Sequence, residues 1–350
     1  MENHSKPLVP VSIDRLGQTK FDHLFERGHL WAIDGARLAQ RPLLVVGEPG
    51  VGKSQLALAA AAYLNRPLVR FTVDSNTEAT DLKYRYDAVR RLAEAQVYKD
   101  RNEGSDPLAI GNFVTPGPLW WTFDWGNAEK LDPNSSPPHP TGWKASDGVV
   151  LLIDEIDKAD QHVPNGLLEA LGDRRFTAIG FDQPITVNPD HEPPLVIITS
   201  NEERSMPAAF TRRCLKLRLE LPPCFPSSLP DDPASSKPQD VLDKEFLDYF
   251  VELGEAHFQT KFKPEDYESV ATQLLEDRKK HIEKNMRPLP GPAEYLDMLR
   301  AIDGLLLDLE RDFQSPEKSE RRYPAEYENM STDDRRKNLI VELRKYIFRK

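Results

Sequence analysis

Residues 43–64 read LLVVGEPGVGKSQLALAAAAYL. Four apolar residues run straight into a glycine-rich turn, and an apolar, alanine-rich segment follows from Lys53. Strand formers before the turn and strong helix formers after it predict a strand, a tight loop and a helix. Gly47, Gly50 and Gly52 let the backbone take positive φ and turn its N–H groups inward. Such a nest, opening onto a helix N-terminus, is an anion site.

The same alternation recurs along the chain. Besides 43–46, short apolar runs occur at LVRFTV (68–73), VVLLID (149–154) and LVIIT (195–199). They are rich in Val, Ile and Leu and mostly lack period-2 alternation, as strands buried on both faces of a parallel sheet do. A fifth run, CLKLRLEL (214–221), alternates apolar and charged residues, the pattern of an edge strand. Helical patterns at 54–64 and 162–172 complete an α/β doubly wound domain, placed at 1–222.

Two stretches interrupt this regularity. Residues 74–148 are too long for one crossover; they contain a charged run read as helical, DLKYRYDAVRRLAEAQ (81–96), and the aromatic stretch GPLWWTFDW. Trp120, Trp121, Phe123 and Trp125 read as core packing, with a client-binding surface as the other reading. LDPNSSPPHPTG (131–142) reads as a loop. FPSSLPDDPASSKPQ (225–239) is rich in Pro, Ser and Asp, and a linker is placed at 223–239. From 240 to 350 the pattern is helical: Leu242, Phe246, Phe250 and Leu253 recur at i, i+3/i+4. Further helices are expected over 291–309 and 331–350, the last opened by a Ser or Thr cap and acidic residues.

The net charge of −11 argues against bulk attraction to nucleic acid or anionic membrane. It leaves room for a local basic patch, and residues 335–350 carry seven basic residues against one acidic. A solvated face and a contact to an acidic partner or nucleic acid are both open readings of that helix. Cys214 and Cys224 lack metal-ligand spacing and read as reduced thiols. The opening MENHSKPLVPVSID has no apolar core of a signal peptide, and no run approaches the ~20 apolar residues of a spanning helix. A soluble cytoplasmic protein is expected.

The turn GEPGVGKS fits G-x-x-x-x-G-K-[ST]. The segment Gly47, Glu48, Pro49, Gly50, Val51, Gly52, Lys53, Ser54 and Gln55 is therefore assigned to nucleotide binding. Lys53 can reach the β- and γ-phosphates, and Ser54 can ligate Mg²⁺. In VVLLIDEIDKA, Asp154 and Glu155 stand at a strand's C-terminal edge, where open α/β sheets bind ligands. One carboxylate can serve the metal (Asp154, with Ser54) and the other the attacking water (Glu155). LVIITSNEE ends a third strand at Asn201, placed to bond the γ-phosphate and the lytic water. PAAFTRRC (207–214) supplies Arg212 and Arg213, which read either as solvated or as a finger reaching a neighbouring subunit's nucleotide.

These motifs, in this order over about 170 residues, resemble an AAA+ ATPase. More narrowly, LLIDEIDKADQHVPNGLLEALGDRRFTAIGFDQPITV resembles the Walker B strand, following helix and pre-sensor-1 hairpin of the MoxR-like group. The resemblance covers roughly residues 22–310. It implies a P-loop NTPase core with a five-stranded, mainly parallel sheet and a small helical lid. It also implies a self-assembled ring, a hexamer in this expectation, with ATP and Mg²⁺ between subunits. The segment 81–122 would be the group's insert within helix 2, and Arg213 the finger, with Arg212 as understudy. Where the family often opens its lid helix with a sensor-2 arginine, this chain reads Gly291-Pro292-Ala293; Arg287, six residues earlier in NMRPLPGPAE, is the substitute. In this group the ATPase acts chaperone-like on a protein client, commonly a von Willebrand factor A domain protein. A nucleic-acid-stimulated motor or nuclease-coupled subunit is the alternative, and an ATP-operated assembly switch is a third reading.

Overall fold

The computed structural model describes residues 9–15, 18–97, 107–226, 233–314 and 323–348. Parts of the expected insert (98–106) and linker (227–232), and the terminal positions 1–8 and 349–350, lie outside the described residues. Two compact units are present. One takes the chain before residue 14, Phe25–Gly47 and Lys53–Leu219; the other takes Asp14–Leu24, Glu48–Gly52 and the chain from Glu220 onward.

The chain opens with a two-stranded sheet of β1 (Val9–Arg15) and β2 (Gln18–Phe25), then α1 (Arg27–Ala39). The quoted stretch forms β3 (Leu43–Gly47) and α2 (Lys53–Leu64), followed by β4 (Leu68–Thr72). Next come β5 (Tyr84–Tyr86), α3 (Ala88–Val97), β6 (Val114–Pro116), α4 (Pro118–Phe123) and α5 (Trp125–Leu131). The first unit then runs through β7 (Val150–Asp154), α6 (His162–Asp173), the short hairpin β8 (Arg175–Phe176) and β9 (Ile185–Thr186), β10 (Leu195–Ser200), α7 (Ala208–Arg213) and β11 (Leu215–Leu219).

Five strands form one parallel sheet in the order β11-β3-β10-β7-β4. β3, β7 and β10 are buried at every position, as their unbroken apolar runs require. β11 lies at the edge, with Lys216 and Arg218 exposed and Leu219 buried, which is the alternation its sequence carries. The register pairs Ser200 with Val46 and Ile198 with Ile153. The C-terminal ends of β3, β10 and β7 therefore lie side by side. In α2 the residues Leu56, Ala57, Ala59, Ala60 and Ala61 are buried, so small side chains let this helix lie close against the sheet.

The expected helix over 81–96 is corrected in its first half. Tyr84–Tyr86 is a strand, paired antiparallel with Val114–Pro116, and the helix begins only at Ala88. Aromatic side chains favour the extended pairing. Asp87 then caps the helix, its Oδ1 accepting from Arg90 N at 2.7 Å. The aromatic stretch is core: Trp120 is 0% exposed and Trp121, Phe123 and Trp125 are buried beside it. Trp120 stacks edge-on against Phe181, with ring centroids 5.1 Å apart, and its Nε1 donates to Asn127 Oδ1 at 3.0 Å.

The second unit is helical: α8 (Gln239–Phe258), α9 (Pro264–Glu283), α10 (Pro292–Gln314) and α11 (Thr332–Ile347). Phe246, Phe250, Tyr267, Leu274, Tyr295 and Leu299 form its core. At Gly254 an added Cβ would lie 2.5 Å from Tyr267 Cδ1, so α8 can meet these aromatics only without a side chain there. Ser331 caps α11, its Oγ accepting from Asp334 N at 3.1 Å. Three basic side chains of α11 turn to carboxylates within the unit. Arg336 pairs with Asp266 at 2.9 Å, Arg344 with Asp277 at 2.7 Å and Lys345 with Glu342 at 2.9 Å. Both cysteines are buried free thiols, and burial pushes Cys214 up to about 11, far from a reactive thiolate. Among the described residues no helix is long and apolar enough to cross a membrane.

Candidate active site

β3 ends at Gly47 and α2 begins at Lys53. The turn between them needs its glycines: Gly50 has φ 79° and Gly52 φ 99°, the left-handed region that strains any L side chain. Lys53 is the first residue of α2 and is only 6% exposed. Its Nζ donates to Gly47 O at 2.8 Å. One residue on, Ser54 Oγ lies 2.8 and 2.9 Å from the two carboxyl oxygens of Asp154 at the end of β7.

Asp154 is the hub of this edge. It is buried, and besides Ser54 it accepts from Thr199 Oγ1 of β10 at 2.6 Å and from Arg70 Nη2 of β4 at 2.9 Å. Three elements thus converge on one carboxyl group. The adjacent hydroxyl and carboxyl oxygens of Ser54 and Asp154 are hard donors. They fit Mg²⁺, which takes one or two protein oxygens and leaves its other positions to phosphate and water.

Glu155 follows in a left-handed conformation, φ 61° and ψ 46°, although it is not glycine. Such backbone costs about 1–3 kcal/mol and persists only where its surroundings hold it. Here Glu155 N donates to Thr199 Oγ1 at 2.9 Å, so the same hydroxyl ties Asp154 and the strained residue together. The Glu155 carboxyl accepts from Lys158 Nζ at 2.6 Å. Asn201 lies just past β10, on the neighbouring strand; its N donates to Asp157 Oδ2 at 3.0 Å and its side-chain amide reaches Glu203 Oε1 at 3.5 Å. The sequence-predicted residues Lys53, Ser54, Asp154, Glu155 and Asn201 therefore stand along one edge of the sheet. Gln55 is also here, and its Oε1 is buried with no partner among the described residues.

Arg212 and Arg213 end the short helix α7 and are exposed. Arg41 binds the carbonyls of both, Nη2 to Arg212 O at 2.6 Å and Nε to Arg213 O at 3.0 Å, and also reaches Cys214 O at 3.1 Å. This clamp fixes the end of α7 while the two arginine side chains project from it. Arg213 Nη1 donates to Leu168 O of α6 at 3.3 Å. Within the second unit, Glu48 of the glycine-rich turn receives Arg278 Nη2 at 2.5 Å and has Arg287 Nη1 3.7 Å away. Arg278 is buried, whereas the Arg287 side chain is 65% exposed. Of the two arginines beside Glu48, Arg278 makes the shorter contact.

Sequence reasoning did not single out Arg70, Thr199, Asp157, Arg41 or Arg278. An arginine inside the apolar run LVRFTV and a hydroxyl inside LVIIT were visible signals. Arg278, on a helix over 200 residues away from Glu48, had none.

No curated protein matches the chain. Among solved structures it is similar to a candidate ATPase from Cytophaga hutchinsonii, at 15% identity over 89% of this chain and 87% of that one, with a TM-score of 0.33. It is also similar to an arginine-to-alanine variant of RuvB from Thermotoga maritima, at 13% identity over 81% of this chain and 62% of that one, with a TM-score of 0.39. Residues 42–214, from just before β3 to just past α7, match the family described as AAA domain (dynein-related subfamily). The segment 42–214 is thus an AAA domain of the dynein-related subfamily.

Proposed function

We propose that this chain hydrolyses ATP to ADP and phosphate, and does so in a self-assembled ring that remodels a protein partner. The observation that carries the hydrolytic reading is the convergence of Ser54, Thr199 and Arg70 on Asp154 beside the strained Glu155. The N–H groups of the glycine-rich turn and the Lys53 ammonium bind the β- and γ-phosphates. Ser54 and Asp154 hold Mg²⁺, which neutralises phosphate charge. Glu155 orients the attacking water and accepts its proton. Asn201 fixes that water and the γ-phosphate by hydrogen bonds.

The ring reading rests on Arg213 and Arg212. They project from α7 with their backbone clamped by Arg41, a geometry suited to reaching a neighbour's γ-phosphate. A hexamer is the proposed form, and a von Willebrand factor A domain protein the proposed client class, both from the MoxR-like resemblance. A pure assembly switch has no need of a water-activating Glu155. The nucleic-acid reading depended on the basic C-terminal helix, and Arg336, Arg344 and Lys345 of that helix are paired with carboxylates of their own unit.

Phosphate release from ATP by the purified chain, with and without Mg²⁺, tests the hydrolytic reading. Release that needs Mg²⁺ and falls in Glu155→Gln supports it; no release at any protein concentration overturns it. Sedimentation of Glu155→Gln with ATP and Mg²⁺ tests the ring, and a species that stays monomeric rejects it.

A further inference from the structure

Asp157 lies in the single turn that follows β7, two residues after Glu155, and is 3% exposed. Its Oδ2 accepts from Asn201 N and from Glu203 N, each at 3.0 Å. Between these two residues Glu202 takes a left-handed conformation, φ 58°, and its own N donates to Ser200 Oγ at 2.9 Å. The three residues after β10 are thus wrapped so that two backbone N–H groups converge on one carboxyl oxygen, as in an anion nest. The second oxygen, Oδ1, is buried with no partner among the described residues. A half-satisfied buried carboxyl group is costly, and native structures keep few of them without a role. Among the described residues the side chain of Asn201 has only the long contact to Glu203 Oε1, so its position is set by its backbone, and Asp157 holds that backbone.

We propose that Asp157 is a positioning residue of the hydrolytic site. By anchoring the N–H groups of Asn201 and Glu203 to the turn that carries Glu155, it holds the Asn201 amide and the Glu155 carboxylate in register across one water. This rests on the hydrolytic reading above. Asp157 touches neither nucleotide nor water; it acts through Asn201.

The test is a double-substitution cycle read as turnover and as ATP affinity. Asp157→Ala removes the acceptor, and turnover falls roughly 10- to 100-fold, the scale of a misplaced catalytic group, while ATP affinity per folded chain changes by less than about threefold. Asp157→Asn keeps one acceptor oxygen of the same reach and recovers most of the lost turnover. Asn201→Ala alone lowers turnover, and adding Asp157→Ala to it lowers turnover little further, because both remove the same amide from the site. Fully additive losses overturn the proposal, as does wild-type turnover in Asp157→Ala. If Asp157→Ala does not fold, Asp157→Asn decides: a tenfold loss with intact ATP binding means that charge rather than acceptor geometry matters, and the proposal fails. Normal turnover in Asn201→Ala overturns both the role of Asn201 and this proposal. A loss in Asn201→Ala without one in Asp157→Ala overturns this proposal alone.

Discussion

Lys53 Nζ donates to Gly47 O across 2.8 Å, from the first residue of α2 to the last residue of β3. The ammonium is buried and folded back on the loop that it would share with a phosphate. Its partner there is a backbone carbonyl of the turn and not the apolar core, which is why truncating it should leave the fold standing. Lys53→Ala should lose the charge-assisted bonds to ATP, worth about 1.5–3 kcal/mol, or roughly 10- to 150-fold in affinity. Its melting temperature should shift by no more than a few degrees. Titration with a fluorescent ATP analogue checks this, and near wild-type affinity would remove the phosphate assignment.

Glu155→Gln keeps the shape of the side chain and its contact with Lys158 but cannot take a proton. Turnover should fall by roughly 10²–10⁴, with ATP affinity retained. The variant should accumulate ATP rather than ADP when purified with nucleotide. Undiminished turnover would exclude Glu155 as the base.

Arg70 Nη2 lies 2.9 Å from Asp154 Oδ2, and the Arg70 side chain is 58% exposed. The guanidinium neutralises the carboxyl group proposed to hold the cation. With its guanidinium in solvent, a pair of this kind is taken at the surface-pair scale of about 0.2–1 kcal/mol. Arg70→Ala should therefore lower the Mg²⁺ concentration for half-maximal turnover by roughly 1.5- to 5-fold. A half-maximal Mg²⁺ concentration that rises instead would mean that Arg70 serves the phosphate and not the carboxyl group.

The five-stranded sheet was legible because its central strands are buried on both faces and must therefore be continuously apolar, while β11 carries its edge position in the alternation of Leu215 through Leu219. The glycine-rich turn was legible because φ of 79° and 99° at Gly50 and Gly52 demands glycine. Residues 81–87 hold a strand signal that the helical reading misses: charged Asp81, Lys83, Arg85 and Asp87 alternate with Leu82, Tyr84 and Tyr86, the period-2 pattern that pairing of Tyr84–Tyr86 with Val114–Pro116 realises. Helix α9 is not legible as a separate element because its many charges mask Tyr267, Val270, Ala271, Leu274 and Leu275, the apolar residues that it buries in the core. The links made by Thr199, Asp157 and Arg70 depend on which strands are neighbours, and that order is absent from any local window.

Trp120 is 0% exposed, packs edge-on against Phe176 and Phe181, and donates to Asn127 Oδ1. Trp120→Ala should cost about 3–5 kcal/mol of stability, the range for truncating a large buried aromatic. Denaturant unfolding of the two proteins measures it. A cost under 1 kcal/mol would return the aromatic stretch to a surface role.

Arg213→Ala is the test of shared sites. Arg213 projects from the end of α7, and its guanidinium meets Leu168 O of α6. A finger acting in trans is worth ~10³–10⁵ in turnover in efficient systems, and a slower ATPase should lose less. ATP binding to the separate subunit should survive, since Lys53 and the glycine-rich turn are untouched. Arg213→Ala subunits mixed with Lys53→Ala subunits should regain activity, because some interfaces then join an intact finger to an intact phosphate loop. Neither variant alone has such an interface. Activity of the mixture should rise faster than linearly with total protein, since shared sites need assembly. If Arg212→Ala is inactive and Arg213→Ala is normal, Arg212 is the finger; the Arg41 clamp binds the carbonyls of both and serves either equally. If both substitutions leave turnover unchanged, each subunit hydrolyses ATP alone and the ring has no part in the chemistry.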